Sequence, residues 1–186
     1  MSKTLLLILS GVVIAVIRKW SWSQVFTFRA QDIQAYANQT PEFDIRDAIS
    51  GPMQAEGVIF NFSGTVTSRF TARMEGIWNG SSGVLKEDFV YSSDRTQQRQ
   101  WALTVNADGQ ITGTAPDIIG EATGQQSGSA VYLKYRIVLP QDAGGHKLDV
   151  TDWMYLTDNG TIMNRSEFRK FGIKVAEMVA TFRKVD

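Results

Sequence analysis

The chain has 186 residues, equal numbers of acidic and basic side chains, 43% hydrophobic and 11% aromatic content, one histidine and no cysteine. Without cysteine there is no disulfide, thiolate metal site or thiol nucleophile, and a lone His146 supplies neither a histidine cluster nor an HExxH helix. Balanced charge argues against a nucleic-acid partner, which needs a basic surface to neutralise phosphates, and the length suits one domain with a sizeable core.

At the amino terminus Lys3 precedes an apolar run from Leu5 to Ile17, broken only by Ser10 and Gly11 and followed by Arg18, Lys19, Trp20, Ser21 and Trp22. As a helix, residues 4–17 would span roughly 21 Å against about 30 Å of bilayer hydrocarbon, the length of a signal-peptide core. Cleavage needs small residues directly after the run; Ile17-Arg18-Lys19 offers none, and Ala35 and Ala37 lie too far downstream. The expectation is an uncleaved signal anchor over residues 1–22, with Trp20 and Trp22 at the headgroup level and residues 4–22 as the membrane contact. A cleaved signal peptide is the alternative. Residues 23–40 read as a linker and residues 41–186 as one exported body, mildly acidic once Lys3, Arg18 and Lys19 are set aside.

Within Pro41 to Ser50 one short helix is expected, capped by Thr40 with Pro41 in its first turn. From there alternation with a period of two dominates. Phe70, Ala72, Met74, Gly76 and Trp78 share one face of a strand, and Arg69, Thr71, Arg73 and Glu75 the other. The same split recurs in Leu85, Phe89 and Tyr91, in Trp101, Leu103 and Val105, and from Val131 to Leu139. Turn signals separate the runs at Asn79-Gly80, Ser92 to Asp94, Asp108-Gly109, Gly144-Gly145 and Asp158-Asn159-Gly160. Such a meander predicts an all-β fold, an antiparallel up-and-down barrel of about eight to ten strands, because closure removes the edges an open sheet would expose. A barrel of this size holds packed side chains or one small ligand.

The alternation also sorts the candidate site residues. Glu87 and Asp88 are adjacent, so they point to opposite faces and cannot share a site. Glu87 goes inward with Leu85, Phe89 and Tyr91; a buried carboxylate needs a partner, and Arg99, in step with Trp101 on the next strand, is the candidate. Asp152, between Val150 and Met154, also reads as inward, and Asp117 sits at a strand edge or turn after Pro116. Convergence of Asp117, Asp152 and Lys170 at one barrel mouth would hold a polar headgroup while Trp78, Trp101 and Phe89 line an apolar cavity; separate structural roles are the competing reading. Gly120, Gly124 and Gly128 mark bends or bulges, and His146 an exposed turn. No catalytic residue, cofactor or metal site is expected.

Several motifs carry a resemblance: Pro41-Glu42-Phe43-Asp44, Gly76-Ile77-Trp78-Asn79-Gly80, Leu85 to Tyr91, the glycine-rich Gly113 to Gly128, Asp152-Trp153-Met154, and Asn164 followed by Lys170-Phe171-Gly172. Together, over about Pro41 to Lys184, they resemble the domain-of-unknown-function 3833 family of bacterial proteins often labelled as lipoproteins. The resemblance implies a lipocalin-like barrel exported in Gram-negative bacteria and brings no activity with it. Members commonly carry a lipidated cysteine after the signal; this chain has none, so a peptide anchor at the periplasmic face of the inner membrane takes its place. Gly76-Ile77-Trp78 is also similar to the G-x-W of lipocalins, in which a basic residue, here Arg169 or Arg183, packs on the indole.

The expected function is binding of a lipid or other small apolar ligand in the cell envelope. Two alternatives stand beside it. One is an enzyme on lipid-like substrates with Glu87, Asp117 or Asp152 as general acid or base. The other is a packed scaffold, which an interior lacking any cavity above about 300 Å³ would favour.

Overall fold

A computed structural model describes residues 27–185. The expected anchor over residues 4–22 lies outside the described residues, and among them no helix is long and apolar enough to cross a membrane. Ten strands, each antiparallel to its neighbours, form a closed barrel: β1 (Gly51–Asn61), β2 (Val66–Asn79), β3 (Ser82–Tyr91), β4 (Thr96–Val105), β5 (Gln110–Thr114), β6 (Ala122–Ser127), β7 (Ala130–Val138), β8 (Lys147–Leu156), β9 (Ile162–Lys170) and β10 (Ile173–Lys184). Order in space follows order in sequence, and β10 pairs back onto β1 from Met53↔Lys184 to Asn61↔Ala176.

The alternation read from the sequence is the inside–outside pattern of this barrel. On β2, Phe70, Ala72 and Met74 are buried while Arg69, Thr71, Arg73 and Glu75 are exposed. On β3, Leu85 and Glu87 are buried and Lys86 and Asp88 exposed, as the parity of the strand requires. Hairpin turns set the registers that matter below: Glu87 lies opposite Met74 on one side and Arg99 on the other, and Asp152 lies opposite Ser166.

The two ends of the barrel differ. At the end where β1 begins, residues 41–50 enter as a plug. The expected helix over Pro41 to Ser50 is reduced to one turn, α1 (Ile45–Ala48), and its cap is Asp44, not Thr40: the Asp44 side chain accepts from the Arg46 backbone N–H at 2.9 Å. The reason is upstream, where the Phe43 N–H donates to the Gly128 carbonyl at 2.7 Å. That bond ties the preceding residues to the barrel wall and leaves Phe43, Ile45 and Ile49 buried in the main core. Gly76 makes the plug possible, because a Cβ there would stand 1.7 Å from the Ile49 carbonyl oxygen. At the opposite end, the β3–β4 hairpin and residues 139–146 between β7 and β8 form the rim of a mouth.

The segment expected to be a linker carries two 3-10 turns, Phe28–Ala30 and Ile33–Tyr36. Ile33 and Tyr36 pack on the outer face of the barrel with Trp153, Tyr132 and Tyr155, the Tyr36 and Trp153 ring centroids 5.7 Å apart. Gln31 Oε1 accepts from both Tyr36 Oη (2.7 Å) and Tyr155 Oη (2.8 Å).

Candidate functional site: a half-open cavity with a polar wall

Between plug and mouth the barrel encloses a cavity of about 280 Å³. Its floor is Ile45 and Ile49 from the plug, and its apolar walls include Phe70, Met74, Phe89, Phe168, Met178 and Phe182. At the mouth, Leu139, Pro140 and Ala143 come from the connection between β7 and β8. The Arg95 guanidinium, lying 4.4 Å over the Tyr91 ring, reaches Asp142 of that connection at 3.3 Å and so links two sides of the rim.

One sector of the wall is polar. Arg99 projects inward from β4, its side chain 12% exposed, with the guanidinium 4.4 Å over the Trp101 ring and 5.7 Å from the Tyr135 ring. Its Nε donates to Asp117 Oδ1 at 3.0 Å. Asp117 reaches that point because residues 115–121, the long connection after β5, run beside the end of β7. There the Val138 N–H donates to the Asp117 carbonyl and the Ile119 N–H to the Arg136 carbonyl. Glu87 is 3.9 Å from Arg99 Nη1, an ion pair by distance but too long for a hydrogen bond. Two atoms are left stranded here: Glu87 Oε2 and Arg99 Nη2 are both buried without a hydrogen-bond partner. Asp152 from β8 is provided for, its Oδ1 accepting from Ser166 Oγ at 2.7 Å and from Asn164 Nδ2.

Burial sets the protonation equilibria. Loss of water raises Glu87 from the usual carboxylate range to about 7, the Arg99 charge opposing the shift and Asp152 and Asp117 adding to it. Desolvation also raises Asp152, against the hydrogen bonds of Ser166 and Asn164 that favour its charged form. Burial likewise raises the Tyr91 and Tyr135 phenols. For Arg99 burial works against the charge, yet Tyr135, Glu87 and Asp117 outweigh it and hold the guanidinium charged.

Of the residues singled out in the sequence, Glu87, Phe89, Tyr91, Arg99, Trp101, Asp117 and Asp152 line this one cavity. Trp78 and Lys170 do not. Trp78 lies on β2 beyond Gly76, where the plug crosses; it faces Gly83 across the hairpin and packs against the core from there. Lys170 ends β9 at the rim, where its Nζ lies 3.1 Å from His146 Nδ1, so the expected convergence with Asp117 and Asp152 is corrected to the two carboxylates alone. Neither Arg169 nor Arg183 covers Trp78: they pair with Glu167 and Glu56, and among the described residues the indole under a cation is Trp101, beneath Arg99. Tyr135, Asn164 and Ser166 went unnamed as site residues. A signal for the last two existed, since a turn centred on Asn159 sets Asp152 opposite Ser166.

At about 280 Å³ the cavity sits just under the roughly 300 Å³ bound of ordinary ligand pockets, so size by itself leans toward a packed scaffold. The stranded Glu87 and Arg99 atoms argue the other way, because packed cores leave few buried polar groups unmatched.

Fold and cavity define an antiparallel lipocalin-like barrel, closed at one end and open at the other. The chain belongs to the family described as protein of unknown function (DUF3833), whose model matches residues 23–184, a longer stretch than the motifs alone span. No curated protein sequence matches it. Among solved structures it is similar to the S-type phycobiliprotein lyase CPES from Guillardia theta, at 8% identity and a TM-score of 0.55, covering 84% of this chain and 98% of that one. A redesigned β-barrel, mFAP1, bound to DFHBI, aligns at 10% identity and a TM-score of 0.42 over 75% of this chain and 97% of that one. These likenesses concern the fold.

Proposed function

We propose that the protein is a carrier or receptor barrel that holds one small, largely apolar molecule, such as a single-chain lipid, in the cavity above the plug. The observation that carries the reading is the pair of stranded atoms, Glu87 Oε2 and Arg99 Nη2, on the wall of an otherwise apolar chamber. Each costs free energy when left unmatched, and a ligand with a polar end restores the missing bonds. The fold is in keeping with this, since the similar barrel from Guillardia theta is a phycobiliprotein lyase.

The apolar run Leu5 to Ile17 supports placing the barrel at a membrane, as an uncleaved anchor at the periplasmic face of the inner membrane of a Gram-negative cell. Native mass spectrometry of the full chain after mild detergent extraction from its own host tests the binding. One bound lipid-sized adduct is expected, lost when Ala176, on the cavity wall, is replaced by Trp to fill the space. An empty wild-type protein overturns the reading.

The raised Glu87 favours one second reading, an enzyme on a lipid-like substrate with Glu87 as general acid or base. It requires that Glu87→Gln abolish turnover without lowering the melting temperature of the protein.

A further inference from the structure

We infer that the polar end of the ligand is a neutral group that donates and accepts at once, a hydroxyl or a primary amide, bridging Glu87 Oε2 and Arg99 Nη2. The inference rests on the cavity reading above and names the chemistry of its ligand. Its basis is the distribution of charge around the two stranded atoms. Three carboxylates, Glu87, Asp117 and Asp152, face the cavity around Arg99. The second arginine of the wall, Arg95, is engaged at the rim with Asp142.

Arg99 is already committed. Its Nε is bound to Asp117 and its guanidinium rests over the Trp101 ring, near the Tyr135 ring, so turning to meet an incoming anion end-on would break the Asp117 bond and leave the indole face. A carboxylate head would accept from Nη2 but place a further acidic group against Glu87, with Asp117 and Asp152 close by, and would offer Glu87 Oε2 no donor. An ammonium head would satisfy Glu87 but offer no acceptor to Nη2 and would sit beside the guanidinium. A hydroxyl or amide supplies the donor and the acceptor with no net charge, and the two stranded atoms belong to side chains that already approach to 3.9 Å, measured at Arg99 Nη1, on the same cavity wall.

The test is a matched series of decanol, decanamide, decanoate and decylammonium. Binding to the full chain, reconstituted in phosphatidylethanolamine and phosphatidylglycerol nanodiscs, is measured by titration calorimetry at pH 8. Decanol and decanamide are expected to bind at least tenfold more tightly than either charged homologue. Glu87→Gln keeps the shape and exchanges a charged acceptor for a neutral amide that can donate; in that variant decanoate gains at least tenfold and overtakes decylammonium. Tightest binding of decanoate to the unaltered protein, or equal binding of all four, overturns the head-group inference and leaves the cavity reading standing. Binding of none of the four, with no co-purifying lipid, removes both.

Discussion

On the β8–β9 wall of the cavity Asp152 meets Ser166 and Asn164, which are 0% and 2% exposed, and both donate to its Oδ1. On the β3–β4 wall Glu87, 8% exposed, has Arg99 at 3.9 Å and an oxygen with no partner. Desolvation raises both carboxylates, so burial is common to the two corners. The difference is supply. The neighbours of Asp152 are small donors fixed on the next strand, whereas Arg99 has been drawn toward Asp117. The outer surfaces repeat the contrast: Trp153, beside Asp152, is covered by Ile33 and Tyr36, while Lys86, beside Glu87, reaches only an exposed Glu75 at 3.9 Å. Inside the cavity, one corner supplies its carboxylate with donors and acts as scaffold, its unpartnered Trp153 indole N–H lying on the outer face; the other keeps unspent hydrogen-bonding capacity where a ligand would lie.

Breaking the completed corner should have the largest effect. Asp152→Ala removes the charged acceptor shared by the Asn164 amide and the Ser166 hydroxyl, leaving them only the longer bonds to the Trp153 carbonyl and to each other, and a loss of about 3 kcal/mol is expected in urea unfolding. Relieving the incomplete corner should act in the opposite sense. Because the folded-state value of Glu87 lies above its ordinary one, the folded protein holds the extra proton between pH 4.5 and about 7. Stability from this group is therefore complete below pH 4.5 and falls as pH rises through about 7, by up to roughly 3 kcal/mol for a shift of this size. Glu87→Gln should then raise the melting temperature at pH 8, by the equivalent of about 2 kcal/mol, and change little at pH 4.5. Asp152, shifted in the same direction by burial, contributes a decline of the same sign that the variant retains.

Removing the outer brace sharpens the comparison at a smaller scale. Gln31→Ala deprives Tyr36 and Tyr155 of their shared acceptor, and about 1 kcal/mol should be lost in thermal unfolding. Lys86→Ala, on the exposed side of the incomplete corner, should change stability by less than about 0.5 kcal/mol.

Alternation and turns made most of the barrel legible. Asn79-Gly80 and Asp158-Asn159-Gly160 punctuate strands whose parity assigns Glu87 and Asp152 inward and Asp88 outward, and the hairpin between β3 and β4 puts Arg99 opposite Glu87. These are local facts with a period of two. Asp117 could be nominated but not placed, because it arrives on a seven-residue connection between β5 and β6 whose path depends on β7. The plug escaped for the same reason: its course is set by a bond from Phe43 to Gly128, 85 positions away in the chain, which no local pattern encodes. Trp78 obeyed the alternation, yet the plug crosses at Gly76 and the indole lies beyond it.

The seam between β1 and β10 joins the first strand of the barrel to the last, Met53 against Lys184. During biosynthesis that seam cannot form until β10 has left the ribosome, so eight of the ten strand pairings, all but the two of β10, can be made while the ribbon is still uncurled. Until then its two terminal strands present unpaired edges and its apolar face meets water, the state in which nascent β proteins associate wrongly or recruit chaperones. A chain shortened by one strand at its carboxyl end would remain in that condition permanently.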